Sequence, residues 1–124
     1  MALRIPFALL ILSVVLFNGC GPDTIFLRPA LDTPIQHVQN GYNFLSLGKI
    51  DAADNEFNRA RSLDDSYSPA FVGIGLVQGH RGDFKSGFES MARARDLAVS
   101  AEEIAEVDNG IKTLEAMQKQ NEEQ

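Results

Sequence analysis

The chain has 124 residues, which is enough for one compact domain with short extensions. Its formal net charge of −6 argues against a nucleic-acid-binding protein, because binding to phosphates requires clustered Lys and Arg. The single cysteine excludes an intramolecular disulfide and a thiolate metal cluster.

Residues 1–19 are predicted to be a signal peptide that is removed. Arg4 supplies a positive start, and an apolar run extends from Ile5 to Phe17. About 20 apolar residues are needed for a helix to cross a bilayer. The shorter run is therefore typical of a signal-peptide core. The alternatives are an uncleaved anchor and a plain secretory signal with an incidental cysteine.

Small Gly19 directly precedes Cys20 at the end of this run. The pattern resembles the lipobox of bacterial lipoproteins, although Phe17 and Asn18 stand where leucine and a small residue are commoner. The resemblance implies that Cys20 receives a diacylglycerol, becomes the first residue of the mature chain and anchors it through several acyl chains. Gly21 is compatible with a location on the outer membrane, facing the periplasm, in bacteria with two membranes.

Residues 20–33 are predicted to comprise the lipidated cysteine and a tether. Two prolines and Gly21, without any helical period, argue against a helix in this segment. The apolar residues 25–27 lie either on the domain or at the lipid interface.

The rest of the chain matches itself at an offset of 34 residues, which predicts two repeat units at 34–67 and 68–99. Glycines, small residues and large residues coincide in one register. The positions that carry this signature are Gly41, Gly48, Ala53, Phe57, Ala60, Phe71, Gly75, Gly82, Gly87, Met91 and Ala94. Since helices approach closely only where side chains are small, we expect the paired helices to cross at Gly41 and Gly75, with large residues such as Phe57 and Phe71 filling the space around them.

Each unit is predicted to form a helix hairpin. The predicted helices span about residues 34–47, 51–63, 68–79 and 83–99. Gly48 ends the first helix, as glycine commonly does. Asp51, Ser68 and Asp83 are predicted N-caps of the helices that follow them.

This 34-residue unit resembles the tetratricopeptide repeat, and residues 41–64 and 68–98 carry the resemblance. The resemblance implies an all-α, short right-handed helical-repeat solenoid of two hairpins with a C-terminal capping helix. It also implies a concave groove lined by the first helix of each hairpin. His37 and Asn40 depart from the pattern, since the second unit has large apolar residues there, and terminal repeats are often degenerate in this way.

The groove is expected to present an apolar, nearly uncharged strip on the two first helices. Its predicted lining residues are Val38, Tyr42, Leu45, Val72, Leu76 and Gly79. Such a strip suits a hydrophobic peptide or an amphipathic helix. Alternatively, the strip packs on the closing helix or on a second copy of the chain.

Residues 100–124 are predicted to form the capping helix and a frayed tail. Ser100 and Glu103 have the spacing of a capping box. Apolar residues recur at helical spacing and form one stripe, namely Ile104, Val107, Ile111 and Leu114. The opposite face is polar, and the last four residues are expected to fray.

Two hypotheses follow for the chain as a whole, and neither is enzymatic. The first is a membrane-tethered adaptor of the cell envelope, binding a protein or peptide and acting by family analogy in pilus, secretion or outer-membrane assembly. The second is a self-associating structural lipoprotein. No cofactor, metal or nucleic acid is expected. A metal site is not expected because His37 and His80 lack neighbouring ligands, and a catalytic serine is not expected because Ser66 and Ser68 lack a base.

Overall fold

A computed structural model describes residues 32–124, and these residues form five α-helices. The helices are α1 (Pro34–Ser46), α2 (Ile50–Leu63), α3 (Ser68–His80), α4 (Phe84–Leu97) and α5 (Ala101–Glu122). They pack in adjacent pairs, so the prediction of an all-α helical-repeat solenoid is confirmed. The predicted signal peptide, Cys20 and the tether up to residue 31 lie outside the described residues.

Short connections join the helices and reverse the chain each time. Gly48 and Gly82 follow α1 and α3 with φ angles of 68° and 81°, a left-handed conformation that residues with a β-carbon rarely adopt. Because successive helices run antiparallel, the starts of α1, α3 and α5 lie at the same end of the domain as the ends of α2 and α4.

The N-terminal caps in the structure agree with the predicted ones at α4 and α5 and differ from them at α2 and α3. Asp83 accepts a hydrogen bond from the Ser86 amide, and Ser100 accepts one from the Glu103 amide, so both predicted caps are confirmed. Asp51 instead lies inside the first turn of α2 and forms an ion pair with Arg81. The prediction that it caps α2 is wrong.

Ser68 also has a role other than the predicted cap. Its buried hydroxyl donates to the carbonyl of Ala94 over 2.8 Å, which ties the start of α3 to the last turn of α4. The preceding residue, Tyr67, occupies the cap position without a side-chain hydrogen bond. Ser68 is therefore a link between neighbouring helices.

The hydrophobic core consists of two clusters that share α3. The first lies between α1, α2 and α3 and contains Val38, Ala53, Phe57, Ala60, Ala70, Ile74 and Val77. The second lies between α3, α4 and α5 and contains Val72, Met91, Ala94, Val107 and Leu114, with Ile111 packed against it. Residues of α1 and α2 correspond to those of α3 and α4 at an offset of 34, as predicted.

Helix α5 packs as α3 does, and its residues correspond to the α3 residues 37 positions earlier in the chain. A β-carbon on Gly41 or Gly73 would lie within 2.6 Å of the Phe57 ring, so this ring fills the space between α1 and α3. In the second cluster Met91 fills the space between Gly75 of α3 and Gly110 of α5. Thus α5 occupies the position that the first helix of a third hairpin would have, and it has one additional turn at its start.

The far end of α5 extends further than predicted. The helix continues to Glu122, whereas fraying was expected from Asn121 onward. Its apolar stripe is buried at Val107 and Leu114, but Ile104 in the first turn is exposed.

Polar residues form a cluster on the outer side of α1 and α2, where an isolated histidine was expected. The His37 ring is hydrogen-bonded to Glu56 over 2.7 Å and to Asp32 over 2.8 Å. Arg59 also pairs with Asp32, and Asn40 donates to Glu56. Asp32, which belongs to the predicted tether, therefore contacts both α1 and α2.

This cluster makes stability depend on pH. Burial lowers the pKa of His37, but the hydrogen bonds to Glu56 and Asp32 outweigh burial and hold it above 6.5. A raised pKa stabilises the fold fully below pH 6.5 and loses this effect as the pH rises through the folded value. His37→Gln is thus expected to cost more stability at about pH 5 than at about pH 9. Urea unfolding at both values measures the difference.

Asp32 does not contribute to the change in stability between about pH 5 and pH 9. Arg59, and then His37, lower the pKa of Asp32 to about 2, so its carboxylate stabilises the fold above pH 3.8 and stays ionised between pH 5 and 9. His80→Gln is the control, because His80 is exposed at the end of α3. If the stabilities of His37→Gln and His80→Gln depend on pH equally, the pH dependence does not arise from His37.

Candidate functional site

A concave groove of about 590 Å³ runs between α1, α3 and α5. Helix α3 contacts both α1 and α5 and forms the floor. The side chains from α1 and α3 are apolar or aromatic, namely Tyr42, Val72 and Leu76. The wall contributed by α5 is more polar and consists of Glu102, Ala105, Glu106, Asn109, Gly110 and Thr113.

The groove has this shape because α3 carries small residues along most of its length. Gly73 faces α2, Gly75 faces α4, and Gly79 faces α5. Each allows a neighbouring helix to come close, and most of α3 is buried as a result. Two faces of α3 remain partly open, one that carries Leu76 and another that carries Phe71 and Gln78.

The structure places three of the six predicted groove residues in the groove. Tyr42 and Leu76 are partly buried in its lining, and Val72 lies beneath them. Val38 is instead buried in the first core cluster, and Leu45 packs against the same cluster. The positions of these two residues correct the predicted strip.

Gly79 is also outside this groove. A β-carbon there would lie 2.3 Å from Cδ1 of Leu114, so α5 covers this part of α3. Gly79 faces a separate depression of about 200 Å³ at the other end of the domain. The alternative that the closing helix covers part of the strip therefore holds for Gly79.

A partly buried hydrogen bond connects the two walls of the groove. The Tyr42 hydroxyl donates to Oε1 of Glu106 over 2.7 Å, and the Tyr42 ring meets Phe57 edge-on with centroids 5.3 Å apart. Burial raises the pKa of Tyr42, and the negative charge of Glu106 raises it further. The phenol is thus protonated at neutral pH and holds the Glu106 carboxylate at the groove.

The groove residues of α1 and α3 carry no charge, as expected of the strip, but α5 adds an acidic wall that was not expected. Glu106 and the exposed Glu102 are one helical turn apart on α5 and line the same side. In the sequence they belong to the polar face of a capping helix, which gives no indication of a binding role. Gly110 is the signal that was missed, because its match to Gly73 at an offset of 37 aligns α5 with α3.

The groove contains no obvious set of catalytic groups. The Thr113 hydroxyl donates to the Asn109 carbonyl of its own helix. Within residues 32–124, no three His, Cys, Asp or Glu side chains are arranged to hold a metal ion. The lining is suited to contact apolar and basic groups of another molecule.

No helix among residues 32–124 has both the length and the apolar character needed to cross a membrane. No family model matches the chain, and no curated protein or solved structure matches it either.

Proposed function

We propose that the chain is a membrane-tethered adaptor of the bacterial cell envelope that binds a segment of a partner protein between α1, α3 and α5. The observation that carries this proposal is the groove itself, with its apolar floor and its acidic wall. The resemblance to tetratricopeptide repeats supports a peptide-binding role for this face. The lipobox-like sequence at Cys20 supports an anchored position at the outer membrane, facing the periplasm.

The lining defines the chemistry of the partner segment. Leu76, Val72 and the Tyr42 ring offer apolar surface, whereas Glu102 and Glu106 offer negative charge on one side. An amphipathic segment with apolar residues on one face and Lys or Arg along the adjacent edge satisfies both. The net charge of −6 favours encounter with such a basic segment.

Substitutions in the groove lining test the proposal, and circular dichroism verifies the fold because Leu76 also packs against the second core cluster. Leu76 is partly buried and Ala105 is exposed, so Leu76→Glu/Ala105→Glu is expected to abolish crosslinking of the partner without unfolding the domain. Tyr42 is left intact, because its ring contacts Phe57. Crosslinked envelopes are compared by affinity purification, and the crosslinked peptide is expected to contain both apolar and basic residues.

The matched control is Leu47→Glu/Ala92→Glu, which adds the same charge at exposed positions away from the groove. If both double variants recover the same proteins as the natural chain, the groove is not the binding site. Sedimentation equilibrium of the same proteins examines the alternative of a self-associating structural lipoprotein. A dimer that only the groove variant disrupts would assign the groove to a second copy.

A further inference from the structure

One end of the domain, called here the tether end, is where the chain enters from residue 31. It comprises Asp32, the start of α1, and the connections 64–67 and 98–100. Side-chain contacts show that these segments are neighbours. Asp32 pairs with Arg59 in the last turns of α2, and Ser68 bonds to Ala94 near the end of α4.

Exposed large apolar side chains are concentrated at the tether end. Among the described residues five such side chains are exposed, and four of them lie there. The four are Ile35 (57% exposed), Leu63 (37%), Val99 (91%) and Ile104 (46%). They come from α1, α2, the connection between α4 and α5, and α5, so they extend across the end of the domain. The fifth, Leu47 (66%), is at the opposite end.

The chain connects this end directly to the proposed anchor. About twelve residues separate Cys20 from Asp32, and at about 3.5 Å per residue they reach at most about 40 Å. The ion pair of Asp32 with Arg59 and its bond to His37 fix the point where the chain joins the domain. An anchored domain therefore meets the bilayer first with its tether end.

The arrangement of these side chains fits a lipid interface better than a protein partner. They lie on separate helix ends, and none of them lines the groove or the other described depressions. Charged residues lie among them, such as Asp64 and Arg61. A fluid interface accepts scattered apolar side chains, whereas a protein interface requires a packed patch.

We infer that the tether end rests on the surface of the membrane, with Ile35, Leu63, Val99 and Ile104 inserted at the lipid interface. This inference depends on the anchor at Cys20 in the proposed function. Acidic residues outnumber basic ones around these side chains, so the lipid surface proposed is zwitterionic and not anionic. The anchor keeps the local lipid concentration high, so weak contacts suffice to orient the domain. The groove then opens sideways, parallel to the bilayer.

The chain has no tryptophan, which allows single-tryptophan probes. Val99→Trp and Ile104→Trp report on the tether end, and Leu47→Trp is the matched probe at the opposite end. The full chain is expressed in a lipidating host, purified and placed in vesicles of phosphatidylcholine with or without brominated acyl chains. Bromine is expected to quench the two tether-end probes about twofold and to leave Leu47→Trp unchanged, since interfacial insertion reaches about 5–10 Å deep.

The intact mass of the purified protein shows whether Cys20 carries lipid, and this separates the two possible failures. If the cysteine carries no lipid, the tethered adaptor fails and the inference fails with it. If lipid is present and all three probes are quenched equally or not at all, only the inference is overturned. Fluorescence that depends on protein concentration and not on bromine would assign the surface to a second copy, and would also overturn it. Circular dichroism verifies that each variant is folded.

Discussion

Phe57→Ala is expected to lower the free energy of unfolding by about 3–5 kcal/mol. The ring is fully buried in the first cluster, between Gly41 of α1 and Gly73 of α3. Removing it leaves a cavity that these helices cannot close without moving. Urea unfolding followed by circular dichroism, on a chain that starts at Gly21, measures the change.

A double-mutant cycle with Gly73→Ala tests the close approach itself. A β-carbon at Gly73 would lie 2.1 Å from Cδ1 of Phe57, so Gly73→Ala alone is expected to cost about 1–3 kcal/mol through overpacking. In the Phe57→Ala background the obstructing ring is absent and most of this cost disappears. If the free-energy changes of the two substitutions are additive, the Phe57 ring does not set the spacing between α1 and α3. Leu47→Ala, at an exposed position, is the control.

Leu114→Ala is expected to destabilise the domain by about 2–5 kcal/mol. Its side chain is fully buried, and its two methyl groups lie against Gly79 of α3 and Gly87 of α4. Leu114 is the nearest side chain to both of these glycines. Because α5 forms one wall of the groove, the variant should also lose the partner proposed to bind there. Urea unfolding and crosslinking measure the two effects separately.

Ile104→Ala is the control for this prediction, because it removes a comparable side chain from the exposed first turn of the same helix. A loss below about 1 kcal/mol is expected there. A similar loss for both variants would mean that α5 is not held by its contact with the two glycines.

The repeat and most helix ends could be predicted because they depend on local chemistry. Gly48 and Gly82 end helices through their own φ angles, and Asp83 caps through a hydrogen bond within one turn. The role of α5 was missed because its correspondence to α3 is shifted. A search at 34 residues pairs Gly110 with Leu76, whereas packing pairs it with Gly73.

The groove could be predicted only in part, since spacing along a helix gives a face but not its rotation toward neighbours. Val38 and Tyr42 are one turn apart and were assigned to the same strip. Packing against α2 buries the first, whereas the second reaches the groove and bonds to Glu106, 64 residues away. Such a distant polar pair has no local signature. The same applies to His37, whose partner Glu56 is on another helix.

Sharing of α3 between the two core clusters bears on how the domain unfolds. Ala70, Ile74 and Val77 belong to the first cluster, and Val72 of the same helix belongs to the second. If α1 and α2 unfold, the α3 residues of the first cluster lose their cover, and if α3 unfolds, both clusters are lost. Repeat arrays whose units contact one another only through a small interface melt in stages. Here the hairpins are coupled through α3, so the proposed binding of a segment in the groove would stabilise both of them at once.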